Sequence, residues 1–261
     1  MKRLSTGLPL EGQLIIITGA SSGIGYGTAR RLAQNEGARV VAVARRRVFR
    51  IEALAAQIRE QTGEDRILPL TTDMAARDQA EALVQQVEER FGRIDGFVHA
   101  VNRVLRLSAL DVSDPEFDLT MQVNVKSALY GVQAVVPVMR RQGAGTVVIY
   151  NPTPRATTEF VASEAVYTAA AHALSALTAG WTRQLESAGI QVREIAPTPE
   201  EGAADTTVSA NITHDALLVQ ALRDSALPQV SKMLPLARPE TFAFAHPQVL
   251  SSRGGLILKQ F

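Results

Sequence analysis

The stretch Thr18-Gly19-Ala20-Ser21-Ser22-Gly23-Ile24-Gly25 follows the apolar run 14–17 and precedes a helical pattern over residues 26–35. A glycine-rich turn between a buried strand and a helix lets backbone N–H groups and the positive end of the helix approach a phosphate closely, because no Cβ lies in the way. The order of strand, glycine turn and helix therefore predicts a dinucleotide-binding site. The alternative is a tight turn that needs its glycines for steric reasons alone.

The composition limits the classes of function. Lys+Arg 27 against Asp+Glu 26 gives a net charge of +1, which leaves no broad basic field for nucleic acid or an anionic membrane. The absence of cysteine excludes disulfides, thiolate metal sites and a cysteine nucleophile, and no metal site is predicted. No apolar run approaches the roughly 18 residues of a membrane span, and residues 1–12 do not form a signal peptide. We therefore expect a cytoplasmic protein.

Apolar strands alternate with helical patterns along most of the chain. Strands are predicted at 14–17, 39–44, 67–72, 94–100, 146–150, 191–195 and 255–259. A longer helical region over 113–141 should be interrupted or bent at Pro137. Buried strands joined by helices require a parallel sheet covered on both faces. The sequence thus predicts an α/β chain with a Rossmann-like, doubly wound parallel sheet of about seven strands, as a single domain over 1–261.

Residues 198–235 break this alternation. They form a polar, helix-prone insertion between the last two predicted strands, where a lid over the carboxyl edge of the sheet would lie. Leucines in this segment either favour an apolar small-molecule substrate or belong to the core; they are Leu217, Leu218, Leu222 and Leu227.

Arginines stand about 20 residues past the glycine turn, where many NAD-binding folds have a carboxylate. Arg45 and Arg46 occupy this region, and a guanidinium can bind a 2′-phosphate through paired hydrogen bonds. The pattern therefore favours NADP(H) over NAD(H). The alternative is a solvated, basic helix start. Asp73, at the end of the third strand, is a candidate to bind the adenine amino group, or it caps the next helix.

The glycine turn and the strand pattern resemble the short-chain dehydrogenase/reductase family over nearly the whole chain. The family's TGxxxGIG signature is complete, which implies a set of cofactor-binding residues: Thr18, Gly19, Ser21, Ser22, Gly23, Ile24 and Gly25. In that family a Tyr exchanges a proton with the alcohol, and a Lys four residues later lowers its pKa. A Ser orients the carbonyl, and an Asn carries a water link.

The family's catalytic positions match only in part. Asn124 matches its Asn and Tyr167 its Tyr, whereas Ala171 stands at the Lys position. The Ser should fall within 151–154, where only Thr153 offers a hydroxyl. The family's Asn-Asn-Ala-Gly segment reads His-Ala-Val-Asn at 99–102, and its Pro-Gly turn reads Pro-Thr at 197–198. The resemblance therefore implies an active site that is degenerate on the nicotinamide side.

The missing lysine has an energetic consequence. A free tyrosine has a pKa of about 10, so forming its phenolate near pH 7 costs about 4 kcal/mol unless a neighbour stabilises it. This equals a factor of roughly a thousand in rate. Arg103, Arg155 and His99 are the candidates to supply part of that stabilisation. His172 lies on a different helix face from Tyr167, and we expect it to be structural or at an interface.

Three functions stay open, because fold does not determine function. The first is an NADP(H)-dependent reductase of a carbonyl compound, with Tyr167 as proton donor, Asn124 as support and Thr153 in place of the Ser. The second is a non-redox enzyme, such as a cyclase, lyase or isomerase. The third is a catalytically silent binding partner. The helical segment 164–187 is apolar around most of its circumference, and the resemblance implies a homodimer or homotetramer; ordinary burial within the chain is the alternative.

Overall fold

The computed structural model describes residues 7–152, 162–196 and 208–225. Within them, six parallel strands form one sheet in the order β3-β2-β1-β4-β5-β6. The strands are β1 Leu14–Thr18, β2 Arg39–Ala44, β3 Ile67–Thr71, β4 Gly96–His99, β5 Gly145–Tyr150 and β6 Ile190–Ile195. The predicted strand at 255–259 lies outside the described residues. The reversal of strand order beside β1 makes the fold doubly wound, as predicted, and places the crevice at the carboxyl ends of β1 and β4.

Helices cover both faces of the sheet. They are α1 Gly23–Asn35, α2 Val48–Thr62, α3 Arg77–Phe91, α4 Asp114–Met121, α5 Ser127–Gln142, α6 Ala165–Leu185 and α7 Val208–Arg223. Ile15 and Ile17 of β1 belong to the core under α1, α2 and α7, whereas Leu14 and Ile16 belong to the core under α3, α5 and α6. Because each strand is buried on both faces of the sheet, its sequence is nearly continuously apolar. None of the helices in the described ranges is long and apolar enough to span a bilayer.

The break in the long helical region lies elsewhere than predicted. A π-helical turn, Gln122–Lys126, separates α4 from α5, whereas Pro137 lies inside α5. Two side chains bond backbone groups at this turn: Ser127 Oγ donates to the Val123 carbonyl at 2.5 Å, and Asn124 bonds a neighbouring loop. The interruption is therefore the π turn that carries Asn124, and the helix continues through the proline.

The described part of the predicted lid is a helix on one face of the sheet. Leu218 and Leu222 of α7 are fully buried in the core beside α1, so these two leucines are core residues. Arg223 also donates to both carboxylate oxygens of Glu36, at the end of α1, with distances of 2.7 and 2.6 Å. Leu217 is partly exposed. Residues 197–207 and 226–235, including Leu227, lie outside the described residues.

Candidate cofactor site and active site

The glycine turn between β1 and α1 combines two tightly packed glycines with one that borders open space. A Cβ at Gly19, where φ is +73°, would lie 2.5 Å from the Ala100 carbonyl oxygen, and one at Gly25 would lie 2.6 Å from the Gly19 oxygen. A Cβ at Gly23, where φ is +53°, would have no heavy atom within 4 Å. Two glycines therefore hold the turn against the sheet, and the third leaves room beside the helix N-terminus.

The N-terminus of α1 is open to an anion. Ser22 is the N-cap residue, is exposed, and makes no side-chain hydrogen bond to the helix, and the first turn has no acidic residue. Ser21 is partly exposed, while Ile24 packs into the core. The free N–H groups and the positive end of the helix are thus available to a phosphate.

Arg45 and Asp73 lie together at the carboxyl edge of β2 and β3. Arg45 Nη1 is 3.2 Å from Asp73 Oδ2, and both side chains are partly exposed. Asp73 Oδ1 accepts a hydrogen bond from the Ala75 N–H at 3.0 Å, which closes the turn before α3. Arg46 is exposed beside Arg45. Since β1, β2 and β3 are parallel neighbours, these residues share one edge with the glycine turn.

His99, the last residue of β4, is fully buried beneath the glycine turn. Its Nδ1 lies 3.0 Å from Thr18 Oγ1, and its Nε2 lies 3.2 Å from Ser127 Oγ. Because Ser127 uses its proton on the Val123 carbonyl, its oxygen accepts from Nε2–H and the Thr18 hydroxyl donates to Nδ1. Burial lowers the pKa of His99 from 6.5 to about 3. The imidazole is therefore neutral and does not supply a positive charge to Tyr167.

The role of His99 was not predicted from the sequence. The parallel pairing of β1 with β4 sets Thr18 opposite His99. The strand register, which the sequence alone does not give, is what would have predicted their contact. The Thr18 side chain is itself fully buried, so its hydroxyl supports the glycine turn from below.

Asn124 is buried in the π turn and holds the loop after β4. Its Oδ1 accepts from the Arg103 N–H at 2.7 Å, and its Nδ2 donates to the Arg103 carbonyl at 2.8 Å. The Arg103 guanidinium donates to Thr120 Oγ1 at 2.8 Å. Arg103 therefore directs its charge toward α4.

Tyr167 lies in the first turn of α6 and borders a cleft together with Asn124 and Ala171. The cleft is narrow, with about 10 Å³ of space for water-sized molecules, and its lining residues are Val101, Asn102, Asn124, Tyr150, Asn151, Pro152, Tyr167, Ala171 and Leu174. The structure thus brings together the positions that match the family's Asn, Tyr and Lys, which here are Asn124, Tyr167 and Ala171. Thr153 and Arg155 lie outside the described residues. His172 is exposed and bonds the Thr168 carbonyl of its own helix through Nδ1 at 2.8 Å.

A polar cluster behind the cleft was missed in the sequence. Asn151, directly after β5, places its Nδ2 within 3.0 Å of Ser175 Oγ and of Glu194 Oε1. Asn151 and Glu194 lie near the carboxyl ends of the paired strands β5 and β6, and this position could have predicted their contact. This pairing becomes visible only once the strand order is known.

The chain is similar to known proteins along most of its length. A family model described as "short chain dehydrogenase" matches residues 13–216. An uncharacterized oxidoreductase of Staphylococcus saprophyticus is 30% identical over 239 residues, which are 92% of this chain and 92% of that protein.

Two solved structures support the same relation. A metagenomic short-chain oxidoreductase in complex with NADP is 26% identical, with a TM-score of 0.72, over 82% of this chain and 92% of that one. L-sorbose reductase from Gluconobacter frateurii, in complex with NADPH and L-sorbose, is 26% identical, with a TM-score of 0.66, over 74% of this chain and 73% of that one.

Proposed function

The chain belongs to the short-chain dehydrogenase family, and from this premise we propose that it reduces a small carbonyl compound with NADP(H) as the hydride donor. One observation carries the proposal: the open N-terminus of α1 at Gly23 and the guanidinium of Arg45 lie on one edge of the sheet. The two similar structures described above contain NADP and NADPH, which supports the same cofactor here.

The residues of this edge fit NADP(H). A side chain at Gly23 would fill the space next to the helix N-terminus, and the backbone N–H groups that follow would hold the pyrophosphate. Arg45 and Arg46 would hold the 2′-phosphate, because guanidinium groups bind phosphate oxygens in pairs. When bound, NADPH supplies the hydride.

Tyr167 is the proposed proton donor. Reduction of a carbonyl needs a protonated acid next to the developing alkoxide, and a phenol with the ordinary pKa of about 10 carries its proton at neutral pH. Ala171 cannot supply the positive charge of the family's lysine, so we expect the proton transfer to be slower than in a site that has the lysine. Asn124 fixes the loop at 101–103 as one wall of the cleft, and Thr153 is the proposed hydroxyl that orients the carbonyl.

The proposed substrate is a small molecule. Two of the leucines that favoured an apolar substrate, Leu218 and Leu222, pack in the core and do not line a substrate site. Substrate polarity therefore has to be argued from the cleft itself.

The function is tested by nucleotide titration followed by a ketone panel. NADPH should bind at least ten-fold tighter than NADH, and Arg45→Ala combined with Arg46→Ala should abolish this preference, because a charged phosphate contact contributes about 1.5–3 kcal/mol. Adding ketones should then consume NADPH at its nicotinamide absorbance. Arg59→Ala is the matched control, because Arg59 is an exposed arginine on α2 that pairs with Asp65. Failure of both nucleotides to bind contradicts the proposal.

A second candidate is a non-redox enzyme or a silent binding partner on the same scaffold. The observation that favours it is the replacement of the family's lysine by Ala171, which borders the cleft beside Tyr167. This candidate predicts tight NADPH binding with no NADPH consumption for any ketone.

A further inference from the structure

The residue after β5, Asn151, has a buried side-chain amide whose nitrogen and oxygen lie in different surroundings. Asn151 is 3% exposed, and its Nδ2 lies 2.9 Å from the Ala171 carbonyl oxygen and 3.0 Å from both Ser175 Oγ and Glu194 Oε1. Over residues 7–152, 162–196 and 208–225, no hydrogen bond reaches its Oδ1. The nitrogen is crowded with partners, and the oxygen has none in the described chain.

The chemistry of these partners fixes the orientation of the amide. The Ala171 carbonyl and the Glu194 carboxylate accept hydrogen bonds, and Ser175 Oγ donates its proton to Glu194 Oε1 at 2.6 Å. The Ser175 oxygen is therefore left to accept from Asn151. Rotating the amide by a half turn would set Oδ1 against three acceptors, so the NH₂ group has to face the cluster.

The oxygen of Asn151 therefore belongs to the cleft. Asn151 borders the same cleft as Tyr167 and Ala171. Its Oδ1 has no partner in the described chain, and it is not among the atoms that are fully enclosed, so it is open to the cleft. Such an acceptor takes its donor from the cleft, and a ligand hydroxyl that replaces a water there would supply one.

We propose that Asn151 Oδ1 is an acceptor subsite beside Tyr167, and that the substrate is a carbonyl compound with a hydroxyl next to its carbonyl. This inference rests on the proposed reductase function. The carbonyl oxygen accepts from the Tyr167 hydroxyl, whereas the neighbouring hydroxyl donates to Asn151 Oδ1. The Ala171 carbonyl and Glu194 take the two N–H groups of the amide, and this keeps Oδ1 directed away from the cluster. A plain alkyl ketone leaves Oδ1 without a donor.

Hydroxyacetone and butanone test this subsite, because they differ by a hydroxyl replaced by a methyl group. Each is titrated into the full chain in the presence of NADP⁺, which has no hydride to transfer, and binding is followed by ligand-observed NMR. Hydroxyacetone should bind roughly ten-fold tighter or more, the usual effect of leaving one buried acceptor unpaired. The same preference should appear in kcat/KM with NADPH.

Asn151→Leu removes the acceptor at similar size and should bring the two ketones to equal affinity. Ser175→Ala is the matched control: the Ala171 carbonyl and Glu194 still hold the amide, so the preference should remain. Equal binding of both ketones to the unaltered chain overturns the subsite, as does a preference that survives in Asn151→Leu. If Asn151→Leu does not fold, the comparison of hydroxyacetone and butanone binding to the unaltered chain decides whether the subsite exists.

The outcomes separate this inference from the reductase proposal. Selective binding of hydroxyacetone without NADPH consumption keeps the acceptor subsite and contradicts the reductase. Equal reduction of both ketones keeps the reductase and overturns the subsite.

Discussion

At the scale of single residues, the neutral side chain of His99 joins the two halves of the site. Thr18 lies at the base of the glycine turn, and Ser127 follows the π turn that carries Asn124. One imidazole thus connects the phosphate edge with the wall of the cleft. A charge on this ring would have no water and no carboxylate among the hydrogen-bond partners described above, so the connection depends on the neutral form.

His99 should make stability depend on pH. Its pKa is about 3 in the folded chain and about 6.5 when unfolded, so only the unfolded chain takes up the proton between these values. Stability is fully present above pH 6.5 and falls as the pH drops toward 3, by roughly 3 kcal/mol between pH 7 and pH 4. Urea unfolding of the natural chain and of His99→Gln at both pH values measures this. An equal loss in the two proteins would refute the assignment.

Asp73 should act on cofactor preference through Arg45. Asp73→Asn keeps an acceptor for the Ala75 N–H but removes the charge that holds the guanidinium, so NADPH affinity should fall about two- to five-fold, in keeping with a partly exposed ion pair. NADH affinity should stay unchanged, since NADH has no 2′-phosphate. Asp65→Asn, which breaks the exposed Arg59 pair instead, is the control. An equal loss for both nucleotides would show that Asp73 binds adenine and does not position Arg45.

At the scale of elements, α7 corrects one part of the sequence prediction. The leucines of the predicted lid 198–235 were open to either a substrate or a core role, and Leu218 and Leu222 pack on the sheet. The strands were predictable because burial on both faces demands continuous apolar runs. The contact of Asn124 with Arg103 was not, because it joins residues distant in sequence. The same holds for the contact of Asn151 with Glu194.

The ion pair between α7 and α1 should be essential for stability. The Glu36 side chain is 2% exposed, so Arg223→Met leaves a buried carboxylate without its partner and should cost about 3–5 kcal/mol of unfolding free energy. Arg141→Met, which breaks the more exposed pair with Glu88, should cost less than about 1 kcal/mol. Urea denaturation compares them, and similar losses would mean that α7 is not held by this contact.

At the scale of the whole molecule, four large apolar side chains are exposed in the segment between β4 and the π turn. They are Val104, Leu110, Phe117 and Leu119, of which Leu110 is 96% exposed. Exposed apolar side chains that form one patch mark a contact between protein chains. With the largely apolar α6, these four residues are the ones to test for the expected homodimer or homotetramer.

Light scattering after gel filtration measures the assembly. The natural chain should elute as a dimer or tetramer, and Phe117→Glu should shift it toward the monomer, because a charge in an apolar interface is costly. Phe49→Glu changes an exposed phenylalanine on α2, against the opposite face of the sheet, and should leave the assembly intact. A natural chain that is monomeric at tens of micromolar would contradict the proposal.

The proposed role of Tyr167 is to donate the proton in an NADPH-dependent reduction although Ala171 replaces the lysine. NADPH consumption with hydroxyacetone by the natural chain and by Tyr167→Phe tests this role, with NADPH binding measured in parallel. We expect consumption of NADPH with formation of the diol, a loss of at least about a hundred-fold in kcat for Tyr167→Phe, and unchanged NADPH affinity. No consumption by the natural chain, or equal consumption by the variant, would contradict it.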